Sequence, residues 1–216
     1  ISVSNDLRYD AERDLKDVGA GHCPVIALNK QDYSAIAAPM GVVFATYASL
    51  IASKRSGKKP IRRLDQIVEW LGGASFEGCI AFDESHKAKN LFPTGTGSKP
   101  TKVGQAVMEL QDRLPRARII YCSATGASEP RHLGYMNRLG LWGGKGAPFE
   151  TWDQFITDVE RRGIGMMELV AMHLKEQGAL VCRSLSFKNC TFELVDGVMD
   201  AHMERVYDRA AELWDQ

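Results

Sequence analysis

At 216 residues and 44% hydrophobic content, the chain has room for one globular domain, or one domain with an appendage. Lysine plus arginine and aspartate plus glutamate each number 27, so the net charge is zero, which excludes a binder that holds nucleic acid through overall basicity. No apolar run reaches the roughly 18 residues of a membrane span, and no secretory signal pattern is present.

Taken in chain order, Ile1–Ser4 reads as a strand, with Asn5 or Asp6 placed to cap a helix running to about Asp17. Pro24–Leu28 is a short strand and Gly41–Ala45 a buried one, followed by Thr46-Tyr47 and a short helix. Lys54–Lys59 reads as a basic, flexible loop; charge runs of this kind are usually solvated. Ile61, Leu64, Ile67, Val68 and Leu71 form a helical stripe closed by Gly72-Gly73. Cys79-Ile80-Ala81-Phe82 is a continuous apolar run, the pattern of a strand buried on both faces. Leu91–Pro100 is a Gly/Pro/Thr-rich loop, Thr101 caps a helix to about Leu114, and Pro115 stops it. Arg118–Tyr121 leads a second apolar strand into Ser123-Ala124-Thr125. Helices dominate after Pro130, clearest at Trp152–Arg162 and Met166–Glu176, before expected strands at Ala179–Arg183 and Phe192–Val195 and a helix opened by Asp200. Alternating strands and helices predict an α/β fold with a mostly parallel sheet covered on both faces, the RecA-like layout of P-loop NTPases, extended by helices towards the C-terminus. The chain opens without Met on a strand-like run and stops inside a helical pattern, as expected of a piece of a larger protein.

The five cysteines, Cys23, Cys79, Cys122, Cys182 and Cys190, show no CxxC and no zinc spacing. Four of them stand in or beside apolar runs, where small thiols are ordinarily core, and the odd count points to a reducing compartment.

The chemistry is concentrated at Asp83-Glu84-Ser85-His86. A buried strand that delivers adjacent carboxylates to the carboxyl end of a sheet is how NTP-hydrolysing α/β proteins hold Mg²⁺ and orient a water. Acidic pairs at strand ends are common, so the second strand matters: Ser123-Ala124-Thr125 follows it about forty residues on. This order resembles motifs II and III of superfamily 2 helicases and translocases. Asp83–Asn90, Ser98–Lys102, Tyr121–Arg131, Leu139–Gly143 and the opening Ser2–Leu15 further resemble the Strawberry notch family, across Ile1 to about Phe187.

That resemblance implies the C-terminal larger part of the first RecA-like lobe of a DExH-type, nucleic-acid-dependent ATPase, spanning residues 1–195 and lacking the Walker A part, with 196–216 as a helical linker towards a second lobe. ATP and Mg²⁺ are the implied cofactors. Asp83 would hold the metal, Glu84 would polarise the water, and His86 would relay nucleotide state to Ser123, Ala124 and Thr125. Thr46-Tyr47 resembles a segment that touches the DNA backbone in Snf2-like proteins, and Ser4 and Asn5 occupy a position where hydroxyls and amides bond phosphates. The implied setting is nuclear, with DNA or chromatin, the second lobe and transcription regulators as partners and no membrane. A non-catalytic co-regulator that keeps the fold as a binding scaffold is the rival reading.

Bland roles compete at several of these positions, since Ser and Thr commonly cap turns and helices. Gly95–Lys102 is only superficially a phosphate loop, because Pro100 stands where the second glycine should be and the segment follows Asp83-Glu84. It is an exposed loop from which Lys99 and Lys102 could reach nucleic acid. No G-x-x-x-x-G-K-[ST] pattern occurs in the 216 residues.

Overall fold

The computed structural model describes residues 1–57, 59–92, 99–124, 129–182, 191, 193–195 and 197–214. They form two compact units, Ile1–Leu180 and Val181–Gln216. The division falls earlier than the 195/196 boundary expected from the sequence.

In the first unit, helix α1 (Leu7–Asp17) precedes strands β1 (Val25–Ala27) and β2 (Val42–Phe44), which pair in parallel with Val25 opposite Val42. Strands β5 (Cys79–Phe82) and β6 (Arg118–Tyr121) form a second parallel pair, Cys79 opposite Arg118. The opening residues join the two pairs. Ser2 forms a parallel bridge with Thr46, just past β2, while Ile1 donates from its nitrogen to the Ala81 carbonyl at 2.7 Å and accepts from the Asp83 N–H at 2.8 Å. The hydrogen-bonded order is therefore β1, β2, the Ile1–Ser2 segment, β5, β6. Neighbouring strands far apart in sequence and all parallel demand crossover connections, and the helices supply them.

One face of this sheet is closed by α2 (Tyr47–Leu50), α3 (Arg63–Trp70) and α4 (Lys102–Arg113). Leu50, Leu64, Ile67, Val107 and Leu110 from these helices pack with Ile80 and Phe82. Each such side chain contributes about 1.5–3 kcal/mol by leaving water. Thr101 accepts from the Gly104 N–H at 3.2 Å, as its capping role requires. Gly104 itself permits a close approach: a Cβ there would sit 3.1 Å from the Ala88 carbonyl and from Leu91 Cα.

The other face differs from the expectation. Side chains alternate along a strand, and Cys79 and Ala81, pointing away from α3 and α4, are exposed, as is Ile120 beside them. A continuous apolar run shows what a strand can tolerate on both faces, whereas burial requires a covering element, and none of the described residues covers these three.

Other readings change locally. Lys54–Lys59 is no loose loop: β3 (Ser53–Ser56) and β4 (Lys59–Arg62) form an antiparallel hairpin, although Lys58 lies outside the described residues. The helical stripe accordingly begins at Arg63 rather than Ile61, because Ile61 and Arg62 belong to β4. Beyond β6, α5 (Trp152–Arg162) and α6 (Ile164–Glu176) enclose a satellite core of Phe149, Phe155, Val159, Val170 and Leu174. Ala179–Cys182 and Glu193–Val195 form no strand; Arg183, Phe192 and Cys190 lie outside the described residues. In the second unit, α7 (Ala201–Trp214) is capped by Asp200, whose Oδ1 accepts from His202 N–H at 2.9 Å and Met203 N–H at 2.8 Å. No helix among the described residues is long and apolar enough to cross a membrane.

Candidate active site

Strand β5 delivers Asp83 and Glu84 to the carboxyl end of the sheet, where parallel α/β folds place their ligands. The Asp83 carboxylate is held at both oxygens: Oδ2 accepts from the Ser2 hydroxyl at 2.6 Å and Oδ1 from the Glu84 N–H at 3.0 Å. The Asp83 carbonyl accepts from the Tyr47 hydroxyl at 2.8 Å. Burial, followed by Tyr135 and Asp83 nearby, pushes the Tyr47 phenol well above its ordinary range, so it stays protonated and remains a donor.

Glu84 adopts φ 48° and ψ 47°, the one left-handed conformation of a non-glycine residue among the described residues. A side chain in this region costs on the order of 1–2 kcal/mol, a strain that persists where surrounding contacts fix the chain. The turn sends the backbone from β5 straight into the 3-10 turn Ser85–Ala88. That turn is anchored to the next strand, because the Ser85 N–H donates to the Cys122 carbonyl at 2.8 Å. His86 is thereby brought to the end of β6: its Nδ1 lies 3.1 Å from Ser123 Oγ and 3.2 Å from Glu84 Oε2. Asp83, Glu84, His86 and Ser123 thus form one connected cluster. Ala124 is exposed beside it, and Thr125 lies outside the described residues.

The donor set suits a hard divalent cation of the Mg²⁺ type. Mg²⁺ is commonly held by one or two carboxylates, with water and phosphate oxygens completing the octahedron. Asp83 offers one oriented, partly exposed carboxylate, and no cluster of three or more His, Cys, Asp or Glu side chains able to enclose a metal occurs among the described residues. A closed structural metal cage therefore does not occur among them, and an open, single-carboxylate site fits.

Thr46 and Tyr47 do not occupy the surface expected of a DNA-backbone contact. Both are buried; the Thr46 hydroxyl accepts from the Ser49 N–H at 3.1 Å as a helix cap, and the Tyr47 hydroxyl is turned inward to Asp83. A buried hydroxyl needs a partner, and here the protein supplies it. Ser4 and Asn5 remain at the surface two and three residues beyond Ser2, with Ser4 Oγ accepting from the Asp6 N–H at 3.3 Å. Sequence reasoning missed Ser2. Nothing local distinguishes it, because its partner Asp83 is 81 positions away and adjacent only through strand order.

This sheet, with its paired carboxylates at the end of an interior parallel strand, belongs to the P-loop NTPase class. The chain matches the family model described as "P-loop containing NTP hydrolase pore-1" over residues 1–209. Within that class it belongs to the strawberry notch family. It is 52% identical to human "Protein strawberry notch homolog 1" over 99% of this chain and 16% of that protein. It is 51% identical to "Protein strawberry notch" of Drosophila melanogaster, over 99% of this chain and 13% of that protein. Against "Protein FORGETTER 1" of Arabidopsis thaliana the figures are 51%, 99% and 16%. The chain thus spans between about one-eighth and one-sixth of the length of these relatives. No solved structure matches it at a significant level.

Proposed function

We propose that this chain is part of a DExH-type ATPase of the strawberry notch family that couples ATP hydrolysis to movement on DNA or chromatin, in the nucleus and in support of transcription control. The observation that carries the reading is the contact between His86 Nδ1 and Ser123 Oγ, 3.1 Å apart, which links the carboxylate pair to the end of the adjacent strand. A strand-end acid pair alone could be a solvated surface feature. An acid pair wired through a histidine to the neighbouring strand is a path along which nucleotide state can be passed on.

In this proposal Asp83 holds Mg²⁺, which when bound neutralises charge on the phosphate oxygens. Glu84, strained and half-exposed at the turn, orients the attacking water and accepts its proton. Its contact with the His86 ring ties that carboxylate to the Ser123 side. Surface residues Ser4 and Asn5 contact nucleic-acid phosphates, while Tyr47 acts behind them by fixing the Asp83 backbone. Phosphoryl transfer depends on positioning and electrostatics, and the phosphate loop and second-lobe cation are not among these 216 residues.

Two measurements test the reading. The 216-residue chain alone should hydrolyse ATP no faster than buffer, and turnover abolished by Asp83→Ala would mean that it carries its own phosphate site. The full-length protein should hydrolyse ATP faster when nucleic acid is added; no turnover with any DNA or RNA would favour the scaffold reading.

Ser123→Ala should separate the two activities, leaving most basal ATPase and reducing stimulation by nucleic acid. One hydrogen bond contributes only about 0.5–1.5 kcal/mol net, enough to uncouple neighbouring groups but too little to unfold a domain. Loss of basal ATPase as complete as that of a Glu84 variant would instead assign Ser123 to the hydrolytic step.

A further inference from the structure

The Asp83 carboxylate is oriented by a residue that belongs to neither of the two motifs. Ser2 is 2% exposed, and its hydroxyl donates to Asp83 Oδ2 at 2.6 Å. That length is typical of a charge-assisted O–H to carboxylate bond, the stronger kind. The backbone that carries the hydroxyl is bonded on both sides. The Ser2 N–H donates to the Ala45 carbonyl at 3.0 Å and the Ser2 carbonyl accepts from the Tyr47 N–H at 3.1 Å, so the backbone is held by the strand on one side. On the other side Ile1 is paired with Ala81 of β5 and with Asp83 just beyond it.

The remaining freedom of an aspartate is rotation about its terminal torsion, which is broad and intrinsically permissive. The Glu84 N–H on Oδ1 restrains it from within the same turn, and that turn is the strained one. A second restraint from the separate Ile1–Ser2 segment, bonded to its neighbours on both sides, sets the plane of the carboxylate independently of Glu84. Serine is mostly an exposed residue, and at a strand position this buried an aliphatic side chain would bury more apolar surface. The bond to Asp83 accounts for its presence.

We propose that Ser2 is a positioning residue for the metal-binding carboxylate: it holds Asp83 so that the oxygen lone pairs left free face the divalent cation of the bound nucleotide. The inference rests on the reading of Asp83 as the cation ligand. Mg²⁺ demands near-ideal octahedral geometry, so a carboxylate free to swing loses affinity even though its charge is unchanged. Removal of an outer-shell partner of a metal ligand typically costs about 10–100-fold in metal affinity or activity.

The test uses the full-length protein loaded with a non-hydrolysable ATP analogue and titrated with Mn²⁺, free ion being read by electron paramagnetic resonance. Ser2→Ala is expected to weaken Mn²⁺ binding about tenfold, the lower end of that range. Ser2→Thr, which restores the hydroxyl, should return it to within about threefold of the parent by keeping the same donor. In steady-state ATPase, Ser2→Ala should raise the Mg²⁺ concentration for half-maximal rate in the same proportion, with the rate recovered at saturating Mg²⁺. Asp83→Ala provides the reference. If Asp83→Ala removes the tight Mn²⁺ site and Ser2→Ala leaves it within twofold of the parent, the Ser2 inference is wrong while Asp83 stands. If Asp83→Ala leaves Mn²⁺ binding intact, the ligand assignment itself fails and the inference with it. A Ser2→Ala protein whose rate no Mg²⁺ concentration restores, and whose melting temperature collapses, would make Ser2 a fold residue rather than a positioning one.

Discussion

Glu84→Gln in the full-length protein is expected to bind ATP with near-parental affinity and to turn it over roughly 10²–10⁴-fold more slowly, the usual contribution of a general base. The amide preserves the volume of the side chain. It can still meet His86, whose Nδ1 lies 3.2 Å from Glu84 Oε2, so the left-handed turn and its neighbours keep their arrangement. What is lost is the carboxylate that accepts a proton from water. The expected change corresponds to about 3–5 kcal/mol on the barrier. Single-turnover hydrolysis and equilibrium binding of a fluorescent ATP analogue measure the two quantities separately. A rate within about twofold of the parent would remove Glu84 from the chemistry, and a parallel collapse of nucleotide binding would show that the substitution had disturbed Asp83 instead.

The largest effect on folding is expected at Gln111, on the buried face of α4. Its side chain is wholly buried, and its Nε2 donates to the Tyr135 carbonyl at 2.8 Å and the Val107 carbonyl at 3.2 Å. Its Oε1 accepts from the Tyr121 hydroxyl, and its backbone carbonyl accepts from Arg138 at 2.7 Å. The network reaches the site through aromatic rings: Tyr121 stacks on Phe82 at 5.9 Å, directly before Asp83, and meets Tyr135 edge-on at 5.8 Å. Gln111→Leu keeps the apolar volume but strands the half-buried Tyr121 hydroxyl and the buried Tyr135 carbonyl. Each orphaned group costs about 1–3 kcal/mol, which together lower the melting temperature of a chain this long by roughly 5–20 °C. Gln105→Leu, on the exposed side of the same helix, should stay within about 0.5 kcal/mol of the parent. Thermal melts followed by circular dichroism compare them. Equal melting temperatures for the two variants would mean that water, rather than Gln111, satisfies those groups.

The residue order by itself carried a good deal of this protein. Thr101 and Asp200 cap the helices they were expected to cap, because capping is a local contact between a side chain and the backbone two or three residues on. The runs at Val25, Val42, Cys79 and Arg118 are strands, since hydrophobic period and short length are properties of a few consecutive residues. Asp83-Glu84-Ser85-His86 and Ser123 were legible for the same reason, each being a short motif at the end of such a run, and the structure brings Asp83, Glu84, His86 and Ser123 together.

Tertiary structure decided what depends on residues distant in sequence. The basic segment after Thr46 became a hairpin because Ser53 and Arg62 pair across it, and a charge count does not contain that pairing. Cys79 and Ala81 are open to solvent although their run is fully apolar, since burial depends on which helices lie above a strand and not on the strand alone. Thr46 and Tyr47, legible as hydroxyl-bearing residues after a strand, turned out to point inward, because the donors and acceptors that claim them belong to Ser49 and to Asp83. Ser2 could be assigned only once strand order had set Ile1–Ser2 between β2 and β5. Eighty-one positions separate that hydroxyl from the carboxylate it holds, and only the sheet makes them neighbours.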